Sequence, residues 1–232
     1  MCTIGCVRLD ESMFIFKNRD PIRGTPTDER VDSYPAKDSK IIVIRNDVGC
    51  YGGINSSGVG IVGTFVNMNE KQNNYFDGGN LITILEYGDI SSIVGILKRN
   101  PLNLYGNIIC SDSNSAYAFE LNGSEIHCTN IENCYVMTNH FQKINRKIRT
   151  IDNPFISKWT NSRLTCGREL VFQIKSKNDI IRLLSDHSGY PDYSICNHGI
   201  IPTTSSYIID CTEKRVLQRG WGLRETSAIQ AA

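Results

Sequence analysis

The sequence contains no C-x-x-C pair, no block of five like charges and no apolar stretch near the roughly 20 residues that a membrane helix needs. Each absence excludes something. Nine cysteines without spaced pairs do not form a zinc-finger type site, and an odd number in a 232-residue chain argues against a disulfide framework, so reduced thiols are expected. The nearest Cys/His neighbours, His127-Cys128 and Cys196-Asn197-His198, lack the same pairs, and His187 and His198 show no convergent pattern. No metal and no cofactor are therefore expected. With 25 basic and 24 acidic residues mixed along the chain, neither nucleic acid nor an anionic membrane is expected as the main partner. The first residues lack the basic start and apolar stretch of a secretory leader, which predicts a soluble cytoplasmic protein. A single domain over 1–232 fits the length, and self-association is left open.

What is present is a grouped alternation of elements. Residues 3–9 and 13–17 read as a hairpin, and 20–40, with three prolines and many charges, as a long surface loop. Strands follow at 40–45 and 58–66, the latter after a turn-rich connector at 52–58. Helical periodicity covers 79–86 and 90–98, where Leu81, Ile84 and Leu85, then Ile93, Ile96 and Leu97, share faces. Strands resume at 106–111, 116–121, 125–128 and 134–138, a second helical pair covers 162–175 and 177–186, and a hairpin at 205–210 and 215–219 closes the chain. Strands, helices, strands, helices, strands is the order of a layered α+β domain, with each helical pair on the outer face of a mostly antiparallel sheet.

Cys2 carries the most suggestive chemistry. Removal of Met1 makes it the first residue, which then holds both a thiol and an α-amine able to take the thiol proton and later return it to a leaving group. Taken alone it reads as an ordinary residue at a frayed end. Its surroundings argue otherwise, because a strand begins at Thr3 and the hairpin's second strand ends in Lys17-Asn18-Arg19-Asp20, bringing two cations and a carboxylate near the thiol.

Met1-Cys2-Thr3 followed by Phe16-Lys17-Asn18-Arg19-Asp20 resembles the start of the choloylglycine hydrolase group of bile salt hydrolases and penicillin V acylases, and of the related penicillin-forming acyltransferases. Gly53-Ile54-Asn55-Ser56-Ser57-Gly58-Val59 resembles the group's G-x-N-x-x-G-L turn, Val136-Met137-Thr138-Asn139 its V-L-T-N, and Asn161-Ser162-Arg163 its S-R helix start. Asn18-Arg19-Asp20 is also similar to the N-R-D-E proteins, although Pro21 replaces their glutamate. The resemblance implies an N-terminal-nucleophile hydrolase with the four-layer αββα fold. It further implies that Cys2 is the nucleophile, Asp20 positions its amine, and Arg163 sits beside the thiolate. Asn139 by its side-chain amide and Asn55 by its backbone N–H would serve an oxyanion. Either Lys17 or Arg19 supplies the cation near the thiol. Arg19, His140 and Phe65 are candidates for substrate contact. Read without the resemblance, Asn55 and Asn139 equally suit turns, Arg163 a helix surface, and Asp20-Pro21 a turn start.

Three functions follow as expectations. One is an amidase that cleaves a small acyl-amide through a Cys2 thioester and water. Another is an acyltransferase that moves an acyl group from a CoA or carrier-protein thioester to an amine. The third is a noncatalytic binding protein that keeps the fold.

Overall fold

The computed structural model describes residues 2–21, 28–36, 40–47, 49–66, 78–145, 154–220 and 222–228. The opening hairpin pairs β1 (Cys2–Leu9) with β2 (Ser12–Arg19), and Asp10 at its turn takes the left-handed conformation that Asp tolerates, with φ of 51°. Four strands follow, β3 (Arg30–Pro35), β4 (Lys40–Arg45), β5 (Cys50–Asn55) and β6 (Gly60–Thr64), then the helices α1 (Gly78–Leu85) and α2 (Ile90–Arg99). Next come β7 (Tyr105–Ser111), β8 (Ala116–Asn122), β9 (Glu125–Ile131) and β10 (Cys134–Met137), and the second helical pair α3 (Pro154–Val171) and α4 (Lys177–Leu184). The chain ends on β11 (Ser205–Asp210), β12 (Arg215–Gly220) and β13 (Gly222–Ala228).

These strands form a six-stranded sheet, ordered β10-β1-β2-β11-β12-β13, and a seven-stranded sheet, β3-β4-β5-β6-β7-β8-β9. Every pairing among the described residues is antiparallel. The apolar residues sort into layers as strand alternation requires. Ile4, Cys6, Met13 and Ile15 of one sheet meet Ile42, Ile44, Ile54, Val62 and Ile109 of the other. The opposite faces carry the helices: Ile41, Val43 and Ile61 pack on α1 and α2, while Phe14, Phe16 and Ile208 pack on α3 and α4. The result is the expected four-layer αββα sandwich. Among the described residues no helix is long and apolar enough to cross a membrane.

Four boundaries differ from the sequence reading, each for a local reason. The stretch read as a surface loop contains β3, an edge strand whose charged and exposed residues carry little apolar alternation. The glycine-rich connector is the end of β5, where a Cβ on Gly53 would stand 2.6 Å from the Ile42 carbonyl oxygen and 3.0 Å from Leu85 Cδ1. Glycine there lets α1 lie against the sheet, and it also erases the strand signal. Helix α3 begins at Pro154, a residue pre-set for a first helical position, rather than at residue 162. A last strand, β13, follows the closing hairpin and pairs with β12.

Candidate active site

The register of the first hairpin decides which side chains meet. Cys2 stands opposite Arg19, Thr3 opposite Asn18 and Ile4 opposite Lys17. Residues directly opposite share a face, so Cys2, Ile4, Lys17 and Arg19 point between the two sheets, while Thr3 and Asn18 point toward α3 and α4. Cys2 is 5% exposed.

Lys17 is fully enclosed. Its ammonium donates to the carbonyls of Gly63, at 2.6 Å, and Tyr51, at 3.0 Å, and hydrogen-bonds Cys2 as well, which occupies its three donors. Burial pushes the Lys17 pKa down, and Cys2 opposes that shift. Burial likewise pushes the Cys2 thiol up, but opposing pulls, led by the Lys17 ammonium and including an N–H from the Asp20 backbone, hold it below its ordinary value. Arg19 is engaged elsewhere. Its guanidinium pairs with buried Glu29, donates to Tyr51 Oη at 3.0 Å and lies 4.2 Å from the centre of the Tyr51 ring. Of the two cations, Lys17 is therefore the one at the thiol.

On the helix side, Arg163 of α3 joins the other predicted residues. Its Nη1 donates to Asp20 Oδ2 and to Thr3 Oγ1, both at 2.9 Å, and its Nη2 donates to Asn139 Oδ1 at 2.8 Å. The guanidinium carbon sits 3.5 Å from the centre of the Trp159 ring, and burial brings its pKa down to about 10, so it stays charged at neutral pH. Asp20 takes a second bond, from Thr203 Oγ1 at 2.6 Å. Burial raises the Asp20 carboxyl against the pull of Arg163.

Asn139 connects this group to Cys2. Its Oδ1 accepts from the Cys2 nitrogen at 2.9 Å as well as from Arg163, and its Nδ2 donates to Thr64 Oγ1 and to the Phe65 carbonyl, the latter at 2.8 Å. A flipped amide would set its NH2 against Arg163 and its oxygen against the Phe65 oxygen, so the network fixes the orientation. Both Nδ2 protons are thus committed to the end of β6, and the atom turned to Cys2 is the acceptor.

Asn55 does not join the site. Its backbone N–H donates to Val59 O, its Oδ1 accepts from Val59 N, and its Nδ2 donates to the Leu85 and Gly88 carbonyls. It closes the β5–β6 turn, at the other end of β5 from Tyr51 and about 13 Å away at strand rise. His140 is buried, with Nδ1 at 2.9 Å from Thr160 Oγ1 and 3.2 Å from Thr138 Oγ1, a position that suits packing under the site rather than substrate contact. Phe65 is half-buried in an apolar cluster with Trp159, Ile201, Phe155, Ile156 and Tyr193, beside the Asn139 amide.

Several positioning residues escaped the sequence reading. Glu29 accepts from Arg19, Ser205 and Tyr207 together. Asn107 donates to the carbonyls of Thr138 and His140, and buried Glu120 accepts the backbone N–H groups of Gln142, Lys143 and Ile144, so the segment around Asn139 is clamped to β7 and β8. The three N–H groups on one carboxylate resemble a helix-start pattern that only the fold creates. His187, Cys196 and His198 do converge, contrary to the expectation from spacing.

A buried terminal-strand cysteine held by a lysine, an asparagine and an Asp-Arg pair, inside an αββα sandwich, places the chain in the N-terminal-nucleophile class. More narrowly, residues 7–215 match the family of acyl-coenzyme A:6-aminopenicillanic acid acyl-transferase, and the chain belongs to that family. The fold is similar to that of penicillin V acylase from Agrobacterium tumefaciens, with 13% identity and a TM-score of 0.60 over 95% of this chain and 83% of the other. It is also similar to conjugated bile acid hydrolase from Clostridium perfringens, solved as a C2A mutant, with 12% identity and a TM-score of 0.64 over 99% and 92% of the two chains. No curated protein matches by sequence.

Proposed function

We propose that the chain is a cysteine amidase that cleaves the C–N bond of a small acyl-amide through a thioester on Cys2. The observation that carries this reading is the pairing of charges around the sulfur. Arg19 is matched by Glu29 and Arg163 by Asp20, which leaves Lys17, among the described residues, with the Cys2 sulfur as its anionic partner. A buried ammonium arranged in this way favours a thiolate, the nucleophilic form.

With Met1 removed, the Cys2 nitrogen is an α-amine whose N–H is directed to Asn139 Oδ1, so its lone pair is free to exchange a proton with the neighbouring thiol. The thiolate attacks the amide carbon, and the tetrahedral intermediate collapses with loss of the C–N bond as the ammonium protonates the departing amine. Water, deprotonated by the amine, then attacks the thioester and releases the acid and the free thiol. Asn139 can serve the oxyanion only by exchanging Thr64 Oγ1 or the Phe65 carbonyl for it when substrate arrives. Half-buried Phe65, whose carbonyl takes the Asn139 amide, is the apolar side chain that supports an apolar acyl group.

The family's name supports a second reading, in which an amine rather than water takes the acyl group from the same thioester. Both are tested by turnover of an acyl-amide panel with and without added amines. Free acid as the product whether or not amines are present supports hydrolysis, a new amide supports transfer, and no turnover difference between wild type and Cys2→Ala defeats both.

A further inference from the structure

We propose that the loop joining α4 to β11 is a metal site in which His187, Cys196 and His198 hold a zinc-type divalent ion. The site lies outside the cluster around Cys2, and the inference stands whether or not Cys2 is a nucleophile.

The three ligand atoms lie within 4.8 Å of one another. His187 Nε2 is 2.8 Å from His198 Nε2, and Cys196 Sγ is 3.7 Å from the same His198 nitrogen. A tetrahedral zinc with Zn–N near 2.0–2.1 Å and Zn–S near 2.3 Å sets ligand edges of about 3.3 Å for N···N and about 3.6 Å for S···N. The edge from Cys196 to His198 already has that length, the nitrogen pair needs to open by about half an ångström, and the edge from Cys196 to His187, within 4.8 Å, closes by up to about an ångström as the ion enters. Two imidazoles and a thiolate select zinc and its chemical neighbours over calcium or magnesium, which take oxygen ligands.

The backbone puts the ligands there without help from the ion. Cys196 N donates to Asp186 O at 2.9 Å, which sets Cys196 beside His187, and His198 N donates to Pro191 O at 2.9 Å, which folds the loop back on itself. The two imidazole rings stack with centroids 4.9 Å apart. Both histidines are exposed and Cys196 is half-buried, so the ion enters from solvent and water completes its coordination.

The loop also borders the Cys2 site. Its Ile195 carbonyl accepts from Asn18 Nδ2 at 3.0 Å, and its Thr203 hydroxyl reaches Asp20. Asn197, between two of the ligands, is buried with both side-chain amide atoms unpartnered, and its backbone alone ties the span to Thr203, donating to Thr203 Oγ1 and accepting from Thr203 N, both at 2.9 Å. The ion is a structural clip that adds to these backbone bonds in the loop bearing Thr203, and it takes no part in bond cleavage. On binding, the Cys196 thiol proton leaves to solvent as the metal–sulfur bond forms. The proton shared between the two Nε2 atoms moves to an Nδ1, so both histidines ligate as neutral imidazoles.

The test uses untagged full-length protein, stripped with chelator and titrated with zinc against a chromogenic competitor, with metal content measured after dialysis. One zinc per chain is expected, with affinity at least about a hundredfold weaker in Cys196→Ser and in His198→Ala. Cobalt in place of zinc should show a thiolate charge-transfer band that persists in Cys2→Ala and vanishes in Cys196→Ser. Equal zinc affinity in wild type and in the Cys196→Ser/His198→Ala double variant overturns the proposal. So does a cobalt band that depends on Cys2 instead of Cys196, a readout that a folding defect in one variant does not imitate.

Discussion

Asn139 Oδ1 lies 2.9 Å from the Cys2 nitrogen, joining the start of β1 to the segment just past β10. Strands β1 and β10 are neighbours in the sheet, with Ile4 opposite Met137, so the chain leaving β10 passes Cys2 as a consequence of register. The same oxygen also accepts from Arg163, which makes Asn139 the junction of Cys2 with the buried Asp20–Arg163 pair.

Asn139→Ala removes that acceptor and leaves the Arg163 Nη2 donor unpaired. Turnover is expected to fall on the order of 10²–10³-fold, and the unfolding free energy by about 1–3 kcal/mol. Steady-state kinetics and urea denaturation read the two effects separately, and unchanged turnover in a folded variant would show that the junction has no catalytic role.

Lys17→Met removes the cation at the sulfur. A thiol is reactive as its thiolate, so the rate of Cys2 alkylation rises with pH through its pKa, and a lowered pKa puts that rise at lower pH than for an ordinary cysteine. Without Lys17 the effect of burial is less opposed, and the midpoint moves upward. Alkylation of Cys2 followed by peptide mass spectrometry across pH checks the direction; a downward or absent shift contradicts the assignment of Lys17.

Arg163→Met leaves Asp20 a buried carboxylate without its cation, which costs about 3–5 kcal/mol of stability. Adding Asp20→Asn removes the stranded charge, so the double variant is expected to be less destabilised than the sum of the two single changes. Chemical denaturation of all four proteins gives the coupling, and simple additivity would mean that the ion pair is not a unit.

Much of this arrangement was legible in the sequence. The hairpin of β1 and β2 follows from apolar strands around a turn, and the helical pairs from their periodicity. Cys2, Lys17, Asp20, Asn139 and Arg163 stood out by motif, and the fold gathers them. Glu29 did not stand out, because an acidic residue in a charged stretch gains meaning only when Arg19, Ser205 and Tyr207 are folded onto it. Asn55 misled for the opposite reason: an Asn in a glycine-rich turn matches the motif, yet a turn also needs Asn to satisfy its own backbone. His187, Cys196 and His198 meet only because an irregular loop doubles back, which periodicity does not report.

Asn55→Ala tests that correction. The loss of its bonds to Val59, Leu85 and Gly88 is expected to cost about 1–3 kcal/mol, while the pH midpoint of Cys2 alkylation stays where it is in wild type. A shifted midpoint with unchanged stability would return Asn55 to the candidate site around Cys2.

The most direct measurement of the central claim is intact-protein mass spectrometry of the enzyme, acid-quenched during turnover of an acyl-amide. The account predicts a chain that has lost Met1 and carries a single acyl group mapped to Cys2, with neither adduct nor turnover in Cys2→Ala. Turnover by a chain that retains Met1, or an acyl adduct that survives the Cys2→Ala change, would contradict it.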